Sequence, residues 1–320
     1  MIDLDALRRA EGVLRRYVPP TPTFASTALS RVLDLDILLK LEVFQPTRVF
    51  KVRGALVCLA RMVEHGFDGA VVTASAGNHG MSVAYAARLL GLRATVVVPE
   101  SANPAKVKAI LAQGADLRQY GSDFQEAYQE AERLAAQGLR MVHAFDNEDV
   151  IAGQGTVGLE LVQQADFDTV VVPIGGGGLI SGIAAAIKGL RPGVRIIGVE
   201  PQGAATMTVS LKAGRLETLS EVRTIADGLA PRVVSDRTLE HVKEFVDDVE
   251  LVSDEALWPA MRLYLEEEHL IVEPSGAAPL ALAMQRPQLF RGQRTVLVVT
   301  GGNMAPGTLA ELSRSIEANA

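Results

Sequence analysis

The sequence predicts an α/β protein of two domains, each a doubly wound parallel sheet, with a ligand in the cleft between them. The length of 320 residues suggests about two domains. From residue 70 onward apolar strands alternate with amphipathic helices, which is the signature of parallel β–α–β units covered on both faces. Two glycine-rich turns, at residues 75–80 and 175–178, each lie between an apolar strand and a helix, where main-chain N–H groups can receive an anion.

Taken in order, Leu4, Leu7, Val13 and Leu14 fall at helical spacing, and Pro19, Pro20 and Pro22 stop that helix and leave an extended linker. Residues 37–42 read as a strand and 55–63 as a helix, so Lys51 sits at a strand-to-helix junction. The regular series then runs strand 70–73, helix 78–90, strand 94–99, helix 104–113, strand 116–120, helix 124–136 and strand 141–145. A second series follows: helix 157–164, strand 169–174, helix 179–190, strand 195–200, helices 254–267 and 275–284, and strand 295–300. Residues 201–250 give no clear pattern. We therefore expect a small domain, 66–146, inserted into a discontinuous large domain made of 1–65 and 147–320. The ligand is expected beyond the carboxyl ends of the strands.

The formal charge of −7 and pI near 5.4 argue against nucleic acid or an anionic membrane as partner, since both call for a basic surface. A small molecule is the expected partner. The single cysteine, Cys58, has no partner for an internal disulfide, which fits a reducing cytoplasm. The acidic start, Met1-Ile2-Asp3-Leu4-Asp5, does not resemble a signal peptide, and no apolar run is long enough to span a bilayer.

Lys51 is the residue around which the chemistry is organised. One primary amine with two anion cradles suggests an aldehyde cofactor that carries a phosphate. Gly175 to Gly178 let the main chain curl so that successive N–H groups and a helix N-terminus converge on one phosphate. A dinucleotide site is disfavoured: Ile180 or Ser181 stands where the third glycine of G-x-G-x-x-G belongs, although Glu200 is placed to serve a ribose. His65, His79, His143, His241 and His269 show no i, i+4 pairing, which disfavours zinc, and no Gly-x-Ser-x-Gly elbow supports a hydrolase. The turn Ser75-Ala76-Gly77-Asn78-His79 opens a helix and makes a candidate substrate-carboxylate site, though Asn78 could equally be an ordinary cap.

With these pieces in place the chain resembles the threonine/serine dehydratase branch of the pyridoxal-phosphate enzymes of the tryptophan-synthase-β fold (fold type II), which includes serine racemase. The matching segments are Thr21-Pro22, Phe50-Lys51-Val52-Arg53-Gly54-Ala55, the turn at Ser75, Val150-Ile151-Ala152-Gly153-Gln154-Gly155-Thr156, the tetraglycine with Leu179, Thr224-Ile225-Ala226-Asp227-Gly228, Glu273-Pro274-Ser275-Gly276-Ala277 and Thr300-Gly301-Gly302-Asn303. The resemblance implies pyridoxal 5'-phosphate held by Lys51 as a Schiff base, with Phe50 against the cofactor and Asn78 on its ring hydroxyl. It further implies Gly175, Gly176, Gly177, Gly178 and the Leu179 N–H on the phosphate, and Thr300 at the pyridine nitrogen. Lys51 would remove the α-proton of an L-β-hydroxy amino acid, the β-hydroxyl would leave, and the released enamine would hydrolyse to a 2-oxo acid and ammonia. A homodimer is also implied.

Departures from the family pattern sharpen the reading. Ala76 stands where the racemases have a serine that handles the proton on the second face, so dehydration is favoured over racemisation. Thr206 replaces the second acid of the racemases' cation site, which leaves Glu200 and the Ala204 carbonyl as weak candidates and no metal expected. Arg48-Val49 replaces Gly-Ser before Phe50-Lys51, which suggests a bulkier substrate such as phenylserine. About 20 residues follow Thr300, so no appended regulatory module is expected. The competing functions are a racemase or β-replacement enzyme of the same fold and a non-catalytic cofactor- or amino-acid-binding protein.

Overall fold

The computed structural model describes residues 1–317, with side chains to 314. The chain opens with helix α1 (Leu4–Leu14), capped by the Asp3 carboxylate, then β1 (Thr23–Ala25), α2 (Thr27–Leu33) and β2 (Asp36–Leu41). The expected linker after Pro22 thus holds a short strand and a helix, whose N-cap is Ser26. Next come α3 (Lys51–Glu64), β3 (Ala70–Ala74), α4 (Asn78–Leu89), β4 (Arg93–Val98), α5 (Pro104–Leu111), β5 (Asp116–Gln119), α6 (Phe124–Ala136) and β6 (Arg140–Met141). The second half runs α7 (Glu148–Gln164), β7 (Thr169–Pro173), α8 (Gly178–Leu190), β8 (Arg195–Pro201), α9 (Thr206–Ala213), α10 (Asp236–Phe245), β9 (Asp248–Val252), α11 (Asp254–Glu268), α12 (Pro274–Gln285), β10 (Arg294–Val299) and α13 (Pro306–Glu317).

Two sheets form. One has the order β5-β4-β3-β6, all parallel; the other has the order β1-β2-β10-β7-β8-β9, parallel except for the antiparallel edge β1. Helices cover both faces of each sheet, and the strand side chains divide between them by alternation. Val170 and Val172 pack with Ile180 and Ile183 of α8, while Val171 packs with Leu280 of α12 on the opposite face. In the smaller sheet Val71 and Val96 meet α3 and α4, and Val72 and Val97 meet Ala127 and Ala131 of α6. Burial on both faces is why these strands read as continuous valine and isoleucine runs.

α7 begins at Glu148, capped by the Asn147 side chain, earlier than the expected 157, and its three glycines are contact points. A Cβ at Gly153 would stand 2.7 Å from Gly54 Cα of α3, and one at Gly155 would stand 2.8 Å from the Gly182 carbonyl of α8. Their absence lets three helices approach closely. Beside this contact lies a buried ionic cluster: Arg53 binds Glu42 at 2.7 Å and Glu160 at 2.6 Å, and Lys40 binds Glu160 at 2.6 Å. Burial alone would raise the Glu42 carboxyl, but the Arg53 guanidinium holds it below its ordinary range. The cluster ties β2, α3 and α7 together two residues from Lys51.

Candidate active site

Every predicted site segment lies just past the carboxyl end of a parallel strand: Lys51 beyond β2, the Ser75 turn after β3, the tetraglycine after β7 and Thr300 after β10. The two sheets present these ends to one cleft, lined by Phe50, Lys51, Asn78, Gly175 to Gly178, Leu179, Glu273, Ser275 and Thr300 among others. Ser75 and Ala76 stand in the turn before α4, not among the lining residues.

Lys51 is the first residue of α3, and its approach is fixed by the neighbouring strand end. Val49 makes an antiparallel bridge with Gly301, and the Phe50 N–H donates to the Thr300 carbonyl at 3.0 Å. The Lys51 amine donates to the Ala144 carbonyl at 3.1 Å and stands 5.1 Å from the centre of the Phe50 ring. Burial pushes this amine down to about 8, with the Glu273 carboxylate opposing the shift. An amine so placed is available as a nucleophile and as a base near neutral pH.

Glu273 had no role in the sequence reading. It is buried at the start of α12, and burial raises its carboxyl to about 7 while Asn78 pulls the other way. The Asn78 amide donates to both Glu273 oxygens, at 2.9 and 3.0 Å, and its own oxygen accepts from Asn303 at 2.9 Å. The amide expected for a ring hydroxyl is thus engaged by a carboxylate. An acid directly before Pro-Ser-Gly in an otherwise apolar helix was the available signal.

The turn before α4 keeps its helix-start N–H groups at Asn78, His79 and Gly80 without intrahelical partners, as a carboxylate receptor requires. The His79 ring is buried against the Val142 carbonyl at 3.0 Å, and burial pushes it down to about 3, so it offers the cleft its main chain only. Glu200 is likewise committed: its oxygens accept from the Met207 and Thr208 N–H groups, each at 2.8 Å, and from the Thr208 hydroxyl. Thr206 donates to the Pro231 carbonyl, and Ala204 is buried in a single 3-10 turn. Among the described residues no group of three His, Cys, Asp or Glu side chains is arranged to hold a metal.

At the tetraglycine, Gly177 takes φ +88°, a left-handed conformation that favours glycine, and α8 starts at Gly178. A side chain at Gly176 would collide with the Phe145 ring, and a Cβ at Gly175 would stand 2.8 Å from the Gly228 carbonyl. The turn therefore stays bare main chain.

Comparison with known proteins meets this geometry. A family model described as "Pyridoxal-phosphate dependent enzyme" matches residues 14–301. The chain belongs to that family. It is similar to an L-threonine ammonia-lyase of Thermotoga maritima, with 39% identity over 306 residues covering 95% of this chain and 76% of the relative. It is also similar to a serine racemase of Oryza sativa subsp. indica, with 37% identity over 316 residues covering 97% of this chain and 93% of the relative. Among solved structures, maize serine racemase superposes with a TM-score of 0.92 at 35% identity, covering 99% of this chain and 98% of that one. The fold is that of the fold type II pyridoxal-phosphate enzymes, and the chain is an ammonia-lyase-type member that depends on this cofactor.

The cleft fits pyridoxal phosphate on its own chemistry. It offers a buried amine of lowered basicity for the aldehyde and bare N–H groups at a helix start for the phosphate. It also holds a Ser275 hydroxyl that is buried without a partner in its wall. Among the described residues no helix is long and apolar enough to cross a membrane.

Proposed function

We propose that the chain releases ammonia from an L-β-hydroxy amino acid to give a 2-oxo acid, water being lost in the elimination and taken up again when the enamine hydrolyses, with Lys51 as the catalytic base. The observation that carries this reading is the Lys51 amine, brought down to about 8 and aimed by the Ala144 carbonyl into a cleft with a carboxylate receptor. Bound pyridoxal phosphate supplies an electron sink for negative charge at the substrate's α-carbon. The chain supplies the rest. Gly175 to Gly178 and the Leu179 N–H would hold the phosphate, and the Thr300 hydroxyl would serve the ring nitrogen without fixing a proton there. The turn at residues 75–79 holds the substrate carboxylate through the free N–H groups at the start of α4. Lys51 takes the α-proton. Ala76 carries no group able to handle a proton, which supports elimination over racemisation.

The substrate side chain is proposed to be bulky or apolar, as in phenylserine. Val49 is 1% exposed and packs beside Gly301, where a serine would set a hydroxyl near Glu273. Val49→Ser is expected to shift the ratio of phenylserine to threonine turnover towards threonine; an unchanged ratio would sink the side-chain assignment.

The test is 2-oxo acid production on L-threonine, L-serine, 3-hydroxyaspartate and L-threo-phenylserine, with chiral analysis of the substrate left over. Product from at least one, with the remainder still L, is the expected result. Accumulation of the D-enantiomer without 2-oxo acid would establish racemisation instead.

A further inference from the structure

The Lys51 amine is aimed by a carbonyl, and something must aim that carbonyl. Ala144 lies in the segment after β6, between His143 and Phe145, with no regular hydrogen-bond ladder to hold it. The imidazole of His143 does that. Its Nδ1 accepts the Phe145 N–H at 3.3 Å and the Asp146 N–H at 2.8 Å, closing a tight side-chain-to-main-chain turn around Ala144. Two N–H donors on Nδ1 leave the proton of the neutral ring on Nε2. Burial keeps the ring below its ordinary basicity, with Asp146 opposing and Lys51 reinforcing the shift.

Two aromatic rings flank the imidazole. Tyr128 of α6 meets it edge-on at 6.1 Å and 81°, and Phe145 meets it at 4.6 Å and 86°. The same Phe145 sets its ring against Gly176 and its Cβ and main chain against Gly178, so the turn fixes two things together: the carbonyl that receives the Lys51 amine and the wall of the tetraglycine.

We propose that His143 is a positioning residue for the reaction, acting through the Ala144 carbonyl on the Lys51 amine and through Phe145 on the phosphate turn. Its task is that of a hydrogen-bond acceptor at a turn, which an asparagine side chain also performs and an alanine does not. The inference rests on Lys51 as the reacting amine.

The test compares wild type, His143→Ala and His143→Asn in the full chain. The first readout is the rate at which cofactor-free protein captures pyridoxal phosphate, followed by the cofactor's absorption without any substrate. The second is kcat and KM of the loaded enzyme. His143→Ala is expected to slow capture and lower kcat roughly tenfold or more, with KM little changed, because the amine is misplaced rather than the carboxylate receptor. His143→Asn is expected to stay within a few-fold of wild type on both readouts. Wild-type capture and kcat in a folded His143→Ala would overturn the proposal, as would a His143→Asn as impaired as His143→Ala. If His143→Ala does not fold, His143→Asn decides alone: retained capture supports the turn, and lost capture refutes it. Because capture needs no substrate, a protein that captures normally yet eliminates nothing would count against the dehydratase reading and not against His143's role.

Discussion

At the scale of single residues, two groups set the chemistry and one carries strain. Lys51 and Glu273 face the same cleft with opposed shifts, the amine brought down to about 8 and the carboxyl raised to about 7, both chiefly by burial. Only the neutral amine attacks an aldehyde. Capture of pyridoxal phosphate by cofactor-free protein should therefore rise roughly tenfold per pH unit below about 8 and level off above it. Because the Glu273 carboxylate holds the Lys51 proton on, Glu273→Gln should move this inflection to lower pH, as stopped-flow absorbance would show. Arg48 sits at φ +58° three residues before Lys51, where the sequence family pattern has glycine. An arginine there pays a steric cost, so Arg48→Gly should stabilise the protein by roughly 0.5–1 kcal/mol in a denaturant titration. The substitution was visible in the sequence, but the left-handed backbone that explains the expected glycine was not. Glu273 and His143 were also hidden, since their roles depend on contacts between residues far apart in the chain, Asn78 with Glu273 across 195 residues and Lys51 with Ala144 across 93.

At the scale of elements, the regular strands and helices were legible because their periodicity is local. Helix α6 falls at 124–136, as its apolar spacing required, and Asp123 caps it. What escaped was set by tertiary contact. The start of α7, residues 148–156, was obscured by Gly153 and Gly155, which weaken a helix unless close packing compensates. The long α7–α8 contact provides that compensation. At Gly182 an added Cβ would press on the Ile151 carbonyl and stand 2.5 Å from the Gly155 nitrogen. Gly182→Ala should therefore destabilise the fold by about 1–3 kcal/mol, measured by thermal or urea unfolding, although alanine is the better helix former. The unclear stretch 201–250 contains two short helices and an edge strand joined by irregular chain, and α9 is anchored by the buried Glu200 rather than by an amphipathic pattern.

At the scale of the whole molecule, the function depends on two sheets whose strand ends face one cleft. The four-stranded sheet brings the Ser75 turn and the Ala144 carbonyl; the six-stranded sheet brings the tetraglycine and Thr300; α3 carries Lys51 between them and packs on both α4 and α7. Asn78 to Glu273 and Lys106 to Asp227 bridge the two sides. Fold class and strand-end placement were predictable from alternation and glycine turns, because an α/β chain has few places to put a ligand. The proposed elimination runs through Lys51. The direct measurement is ammonia released from the preferred β-hydroxy amino acid by wild type and by Lys51→Ala, each supplied with pyridoxal phosphate. Ammonia and 2-oxo acid in equal amounts from wild type, and neither above background from a folded Lys51→Ala, are expected. Equal release from both proteins, or none from wild type on any member of the substrate panel, would contradict the account.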